Sequence, residues 1–196
     1  MVRPVDPIRT ERLLLRPFTV GDIDDVWAYQ REPEVARYMR WQPRDRDEVA
    51  AAVHQMTGEN GLSREGDCLS LAAVDPASHT VIGQVELVWV SEINGQGEIG
   101  YVFNPRTYGR GLATEAAREL LRLGFDRFGL RRIVGRCLAK NTASAAVLTR
   151  LGMRQEARFV ESLQLKGHWE DELVYAVLRH EMAPTDQAGP TPSAPG

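Results

Sequence analysis

Apolar residues recur along this chain with two different spacings, which distinguish strand-forming from helix-forming segments. Runs that are apolar or that alternate with polar residues are typical of strands, and they occupy 8–18, 68–74, 81–90, 98–103, 132–138, part of 155–165, and 169–178. Three- and four-residue spacing is typical of helices, and it occurs over 22–30, just after Pro33, over 46–56, from Leu112 onward, and over 142–150. The sequence therefore predicts an α+β domain with one sheet of six to seven strands, flanked by about four helices.

The connections between these segments predict a mixed, mostly antiparallel sheet. Strands 68–74, 81–90 and 98–103 are separated by hairpin-length turns rich in Asp, Pro, Asn and Gly. Strand 132–138 instead follows a long helix, and a helical crossover joins parallel strands. We therefore expect a central parallel pair formed by 98–103 and 132–138.

Two glycines stand between strand 98–103 and the helix that begins at Leu112. The segment 104–114 reads Asn-Pro-Arg-Thr-Tyr-Gly-Arg-Gly-Leu-Ala-Thr, so Gly109 and Gly111 bracket one arginine. The first N–H groups of a helix lack internal partners and carry the positive end of the helix dipole. Glycine permits positive φ and lets an anion approach the backbone. The turn therefore predicts a phosphate site, although the same glycines would also suit a simple tight turn.

The helix after this turn is amphipathic. Its apolar stripe consists of Leu112, Ala116, Leu120 and Leu123, and charged residues fall on the opposite side. We expect the helix to pack on the sheet, with small residues in its first turns allowing a close approach.

Composition favours one bacterial, cytoplasmic domain that acts as a monomer or homodimer. The chain has 196 residues, a net charge of −3 and a pI of about 5.9, so it predicts no basic surface for direct contact with nucleic acid. It has no lysine-rich run and no apolar run long enough to span a membrane. The domain is expected to cover 1–183. Residues 184–196 contain four prolines and two glycines and are expected to be disordered.

Neither cysteine is predicted to be catalytic. Cys68 and Cys137 lie in strand-like runs far apart in the sequence, as reduced, buried thiols do. No base-bearing motif accompanies either one, so neither is expected to act as a nucleophile. The four histidines show no ligand spacing to one another or to the cysteines, and no metal site is predicted.

The glycine turn and a later segment together resemble the GNAT superfamily of acetyl-CoA-dependent N-acetyltransferases. Arg106-x-x-Gly109-x-Gly111 matches the pyrophosphate motif of that family. The run 141–148, followed by Leu-Gly-Met, is similar to its second cofactor segment. The resemblance covers residues 8 to 180 and implies the GNAT fold.

Three further motifs resemble the branch of this family that acetylates the N-termini of ribosomal proteins. They are Thr-Glu-Arg-Leu-Leu-Leu-Arg-Pro at 10–17, Glu-Ile-Gly-Tyr at 98–101, and Gly-x-Trp-x-Asp at 167–171. Many GNAT enzymes carry a tyrosine acid seven residues after the asparagine of the second segment, where this chain has Leu148. The ribosomal-protein branch instead uses a serine at the position of Ser144, so the departure fits that branch.

The resemblance implies that acetyl-CoA is the co-substrate and that no metal takes part. Its pyrophosphate would lie on the glycine turn, and its pantetheine arm would bond to the strand edge and to Asn141. The implied cofactor-binding residues are Tyr101, Val102, Phe103, Arg106, Gly109, Arg110, Gly111, Leu112, Ala113, Thr114, Asn141 and Ser144. Asn141 and Ser144 would equally suit ordinary capping of a helix N-terminus.

Glu98 and Ser144 are implied as the catalytic residues. Glu98 would be the general base, directly or through water, and Ser144 would donate a hydrogen bond to the leaving sulfur. Glu86 and Glu161 remain alternatives for the base. In the ribosomal-protein branch the base lies on a later strand, where counting without gaps gives Leu163.

The resemblance thus implies direct acetyl transfer to a primary amine, either a protein N-terminal α-amine or a small-molecule amine. The alternatives are a catalytically silent acyl-CoA-binding regulatory module and, less favoured, a nucleotide-phosphate enzyme, since no lysine followed by Ser or Thr comes after the glycines. The acceptor is expected to enter between the N-terminal helices and the last two strands. Four aromatic residues, which could equally be core, are available there: Trp41, Trp89, Phe159 and Trp169.

Overall fold

The computed structural model describes residues 5–182, so the predicted disorder of 184–196 and the domain boundary at 183 lie outside the described residues. The five α-helices of the described range are α1 (Ile23–Gln30), α2 (Pro33–Ala36), α3 (Arg46–Gly58), α4 (Leu112–Arg122) and α5 (Thr142–Arg150). Its strands are β1 (Ile8–Arg9), β2 (Leu14–Pro17), β3 (Cys68–Val74), β4 (Val81–Ser91), β5 (Gln96–Phe103), β6 (Arg132–Leu138), β7 (Arg154–Leu165) and β8 (His168–Leu178). None of the helices in residues 5–182 is both long and apolar enough to cross a membrane.

All eight strands form one sheet, in the order β1-β2-β3-β4-β5-β6-β8-β7. The predicted α+β class and mixed sheet are confirmed, but the sheet has one strand more than the upper expectation. The difference lies in 8–18, which is a short hairpin and not a single strand. The Thr10 amide donates to the Leu13 carbonyl and the Leu13 amide donates to the Thr10 hydroxyl oxygen, both at 2.9 Å, and these two bonds turn the chain back.

The predicted parallel pair is confirmed, and it is short. β5 pairs with β6 only over Gln96–Ile99, whose partners are Arg132–Gly135 of β6. Beyond that point β5 continues beside β4 alone and β6 beside β8 alone. Leu148 of α5 packs against the sheet where the strands part, since a Cβ at Gly135 would lie 2.4 Å from its Cδ2 atom. A gap therefore opens in the middle of the sheet.

Helices cover the sheet on both faces, and the side chains of β4 and β5 alternate between them. Val85, Leu87 and Ile99 belong to the core under α4 and α5, whereas Ala72 and Val102 pack with the core under α1 and α3. By the register of the strands, Tyr101 therefore faces α5 while Glu86 and Glu98 face the opposite side.

The helix predicted from Leu112 continues beyond α4 as a π-helical turn over Leu123–Arg127. Gly124 in this turn lies against the sheet, because a Cβ there would stand 2.6 Å from Ile133 Cδ1 and 3.2 Å from Leu87 Cδ2. The turn can approach the sheet this closely only because the residue has no side chain.

Gly124→Ala is expected to destabilise the protein by about 1–3 kcal/mol, because the added methyl group overpacks the core. A helical Gly→Ala change normally stabilises by about 0.5–1 kcal/mol, so the sign of the effect is diagnostic. Gly58→Ala is the matched control, since Gly58 is helical and a Cβ there meets no atom within 4 Å. Urea unfolding of both variants measures the difference, and equal effects would contradict the close packing of the π-helical turn.

Candidate active site

A cleft of about 940 Å³ opens at the N-terminus of α4, beside the outer half of β5 and the start of α5. Eleven of the twelve predicted cofactor-binding residues line it: Tyr101, Val102, Phe103, Gly109, Arg110, Gly111, Leu112, Ala113, Thr114, Asn141 and Ser144. Arg106 is exposed in the preceding 3-10 turn and is not among the lining residues.

The glycine turn has the backbone conformation that its sequence predicts. Gly109 and Gly111 both have a φ of 75°, in the left-handed region, and Gly111 is the N-cap of α4 without a side-chain cap. A Cβ at Gly109 would meet no protein atom within 4 Å, so the space in front of the turn is open. The first N–H groups of α4 are thus free to bind an anion.

An ion pair from the N-terminal hairpin holds this turn in place. Glu115, in the first turn of α4, accepts hydrogen bonds from Arg12 Nε at 2.7 Å, from the Arg12 amide at 2.8 Å and from the Thr10 hydroxyl at 2.5 Å. Arg12 Nη1 also donates to the carbonyl of Arg110 at 2.7 Å. Burial opposes ionisation of Glu115, but the bonds from Thr10 and Arg12 outweigh it and lower its pKa. The motif at 10–17 therefore has a structural role that its resemblance alone does not disclose.

Thr114 carries a buried hydroxyl that has no hydrogen-bond partner within residues 5–182. A helical threonine often bonds to the carbonyl four residues earlier, but here that carbonyl, on Arg110, accepts from Arg12. The residue is 7% exposed and lines the cleft at the first turn of α4. An open glycine turn, free helix amides and an unpaired hydroxyl fit the phosphates of a coenzyme.

Tyr101 and Ser144 meet where β5 leaves β6. The tyrosine hydroxyl lies 2.9 Å from Ser144 Oγ and 3.0 Å from the Ser144 carbonyl oxygen. The side chain of Asn141 caps α5 by accepting from the Ser144 amide at 3.1 Å, so the predicted capping role is observed. Burial raises the pKa of Tyr101, although the bond to Ser144 opposes the shift, and the phenol therefore keeps its proton at neutral pH. Sequence reasoning placed Tyr101 on the cofactor strand but missed its contact with Ser144.

A second cleft, of about 430 Å³, lies next to the first one, beside the gap between β5 and β6. Both clefts share the residues Tyr38, Met39, Tyr101, Val102, Asn141 and Ser144. The second cleft continues to the face of the sheet that carries Glu86 and Glu98, and both of these glutamates line it. The two clefts are therefore adjacent where β5 and β6 part.

The two predicted base candidates in the second cleft, Glu86 and Glu98, have different surroundings. Glu98 accepts a hydrogen bond from Arg136 Nε at 3.1 Å. Glu86 has no hydrogen-bond or ion-pair partner among the described residues, and burial, together with the charges of Glu59 and Glu98, raises its pKa. A Cβ at Gly100 would lie 2.5 Å from Glu86 Oε1, so a glycine there leaves room for this carboxylate.

The remaining residues predicted for the base or for the acceptor site differ in whether they line the second cleft. Glu161 is not among the lining residues of either cleft, and it occupies an irregular part of β7 with a φ of 47°. Leu163 does line the second cleft. Of the four predicted aromatic residues, Trp41 alone lines this cleft. Phe159 and Trp169 are exposed on the last hairpin, while Trp89 is partly buried against the main core.

The cysteines are free, and burial raises the pKa of both, that of Cys68 to about 12. Both thiols are therefore protonated at neutral pH, as the prediction of non-nucleophilic cysteines requires. Within residues 5–182, no group of three or more His, Cys, Asp or Glu side chains is arranged to hold a metal ion.

Comparison with known proteins assigns the chain to a family. Residues 12–154 match the model of the acetyltransferase (GNAT) domain. The chain belongs to the GNAT family. The resemblance to this superfamily is thereby confirmed, and the narrower resemblance to its ribosomal-protein branch stays a prediction.

Relatives extend along most of the chain. YnaD of Bacillus subtilis, an N-acetyltransferase that is itself uncharacterised, is 32% identical over 180 residues, which cover 89% of this chain and 98% of YnaD. The crystal structure of a GNAT acetyltransferase from Bacillus anthracis superposes with a TM-score of 0.80 at 28% identity, covering 89% of this chain and 99% of that one. A spermidine N-acetyltransferase from Vibrio cholerae, solved with CoA and spermine, shares the fold with a TM-score of 0.73 at 20% identity, covering 88% and 98%. This GNAT protein is an acetyl-CoA-dependent N-acetyltransferase.

Glu86→Gln is expected to stabilise the free protein at neutral pH but not in acid. A carboxyl whose pKa is raised on folding loses stability as the pH rises above its unfolded value of about 4.3. The melting temperature of Glu86→Gln should therefore exceed that of the wild type at pH 7.5, and the gain should vanish near pH 4. Glu98→Gln is the matched control and should show no such gain, because it breaks the contact with Arg136. A Glu86→Gln variant that is less stable at pH 7.5 would contradict this account.

Proposed function

We propose that this GNAT protein transfers an acetyl group directly from acetyl-CoA in the first cleft to a primary amine in the second. The acceptor is a protein N-terminal α-amine or a small-molecule amine. The observation that carries the proposal is the junction of the two clefts at the gap between β5 and β6, with Tyr101 and Ser144 on one side and Glu86 on the other.

Acetyl-CoA, when bound, supplies an acetyl thioester. The free amides at the start of α4 and the hydroxyl of Thr114 would hold its pyrophosphate. The backbone of Tyr101 to Phe103 faces the gap without a strand partner on that side, and it would bond to the pantetheine arm and to the carbonyl oxygen of the acetyl group. Direct contacts from Arg106, Arg110 and Asn141 remain part of the proposal.

Glu86 is the general base that we favour, in place of Glu98. An amine must lose a proton to attack, and an α-amine, with a pKa near 8, needs less help than a lysine, with a pKa near 10.4. Glu86 is unpaired and its pKa is raised, so it accepts a proton more readily than an ordinary surface carboxylate. Glu98 must release Arg136 before it can do the same.

Ser144 is placed to donate a hydrogen bond to the departing sulfur. If the single phenolic proton of Tyr101 turns from the Ser144 carbonyl, 3.0 Å away, to Ser144 Oγ, 2.9 Å away, the serine hydroxyl accepts that bond while it donates to the sulfur, which would make it a stronger donor. Thiolate formation needs little proton transfer, because a thiol of this kind has a pKa near 8.5. Tyr101 thus supports the predicted role of Ser144 as a hydrogen-bond donor to the leaving sulfur.

Release of coenzyme A from acetyl-CoA, measured over a panel of small amines and N-terminal peptides, tests the proposed function. Glu86→Gln should lower kcat/KM by about 10²–10⁴-fold at pH 7. This loss should shrink as the pH passes the amine pKa, since the base is then no longer needed. Ser144→Ala and Tyr101→Phe should cause smaller losses that do not shrink in this way.

Glu98→Gln is the control in this series. If it shows the pH-dependent loss and Glu86→Gln does not, the base is Glu98. Binding of acetyl-CoA without turnover across the whole panel would instead support the silent regulatory module.

Thr114→Val tests the cofactor site separately from catalysis. Removing a buried hydroxyl that has no partner should stabilise the free protein, since such a group costs about 1–3 kcal/mol. If the hydroxyl bonds to coenzyme A, the same variant should show a smaller rise in melting temperature on adding coenzyme A. An undiminished rise would exclude Thr114 from the binding site.

A further inference from the structure

We infer that the acceptor carries an uncharged, apolar body next to its amine, and that Trp41 is the side chain that selects it. The inference rests on the proposed function, because it concerns the acceptor in the second cleft. Three features of that cleft lead to it: the charged groups, the apolar lining residues, and the residues that hold Trp41.

The charged groups of the second cleft leave a place for one positive charge. Three carboxylates line it, on Glu86, Glu98 and Glu172, together with the arginines Arg40 and Arg136. Arg136 donates to Glu98 at 3.1 Å and to Glu172 at 2.9 Å, so it occupies both. Glu86 remains as the unpaired carboxylate among the lining residues. A second ammonium group on the acceptor would lose water without gaining a free counter-ion.

Much of the remaining wall is apolar, and the polar residues Tyr38, Tyr101, Asn141 and Ser144 lie where this cleft borders the first one. Strand and helix side chains supply most of this surface, and those that matter here are Val88, Leu138, Leu148, Leu163 and Leu165. Trp41 adds an aromatic side to the same cleft. A hydrocarbon or aromatic body would be desolvated favourably against these groups, whereas a polyamine chain would not.

A cation–π contact with Arg44, itself held by a partly buried chain of hydrogen bonds, supports Trp41. The guanidinium of Arg44 stacks on the indole with its carbon 4.7 Å from the ring centre. Arg44 Nη1 donates to Gln30 Oε1 at 2.8 Å, and Gln30 Nε2 donates to Gln84 Oε1 at 2.9 Å. Gln30 and Gln84 are both buried. The aromatic wall is therefore a fixed part of the cleft.

The far end of this hydrogen-bonded chain lies close to the proposed base on the same strand. Gln84 lies two residues before Glu86 on β4, and both side chains point to the same face of the sheet. The phenol of Tyr29 also donates to Gln84 Oε1, at 3.1 Å. β4 therefore carries both Gln84, at the end of this hydrogen-bonded chain, and Glu86, and the strand holds the two residues two positions apart on the same face of the sheet.

Hexylamine and 1,5-diaminopentane form a matched pair for the test, since a terminal methyl group of one is replaced by an ammonium group in the other. The wild type should prefer hexylamine in kcat/KM by about tenfold or more, as expected when a polar group enters an apolar pocket. Trp41→Ala should raise the KM for hexylamine about tenfold, leaving the KM for acetyl-CoA unchanged, and Trp41→Phe should retain most of the preference. Arg44→Leu should raise the same KM without changing that for acetyl-CoA.

Leu163→Glu supplies a second unpaired carboxylate besides Glu86 and should shift the preference toward the diamine. Calorimetric binding of both amines to the coenzyme A complex gives a readout that does not depend on turnover. Equal or better use of the diamine by the wild type would overturn the inference, and so would a Trp41→Ala variant that affects both amines alike. If no amine is turned over, the proposed function fails, and the calorimetric preference still decides whether the cleft selects an apolar body.

Discussion

The parting of β5 and β6 is the constraint on which the rest of the site depends. The two strands pair over Gln96–Ile99 and Arg132–Gly135, and then each is held only by its outer antiparallel neighbour. The inner edges beyond that point have backbone groups without a strand partner, which suit an extended ligand. The separation also connects the two faces of the sheet. Both clefts lie beside this separation, and the proposed transfer of the acetyl group from one to the other depends on it.

Strand alternation then divides the chemistry between the two faces. Tyr101 and Gly100 are neighbours in the chain but face opposite sides of the sheet. The phenol of Tyr101 points to α5, and Gly100 makes room for the carboxylate of Glu86 on the opposite face. A proton donor and a proton acceptor are thus held on either side of the gap without contacting each other. If the phenol and the carboxylate were in contact, they would form a hydrogen bond that serves neither the proposed deprotonation of the amine nor the proposed departure of the thiolate.

The features predictable from sequence were those with local causes. The glycine turn, the helix after it and the crossover that makes the parallel pair all depend on neighbouring residues. The choice between Glu86 and Glu98 was not predictable, because both occupy the same face of adjacent strands. What separates them is Arg136, which lies 38 residues beyond Glu98 in the chain and pairs with Glu98 but not with Glu86. The extra hairpin at 8–18 was missed because its turn has neither glycine nor proline.

The ion pair of Arg12 and Glu115 resolves an electrostatic conflict at the glycine turn. Acidic residues near a helix N-terminus stabilise the helix, but a carboxylate beside a phosphate site would repel the anion. Arg12, 103 residues earlier in the chain, reaches across to bind Glu115 through its amide and its guanidinium. Its second contact, to the carbonyl of Arg110, covers a negative dipole at the same place. The helix keeps its stabilising carboxylate, and Arg12 balances its charge beside the proposed phosphate site.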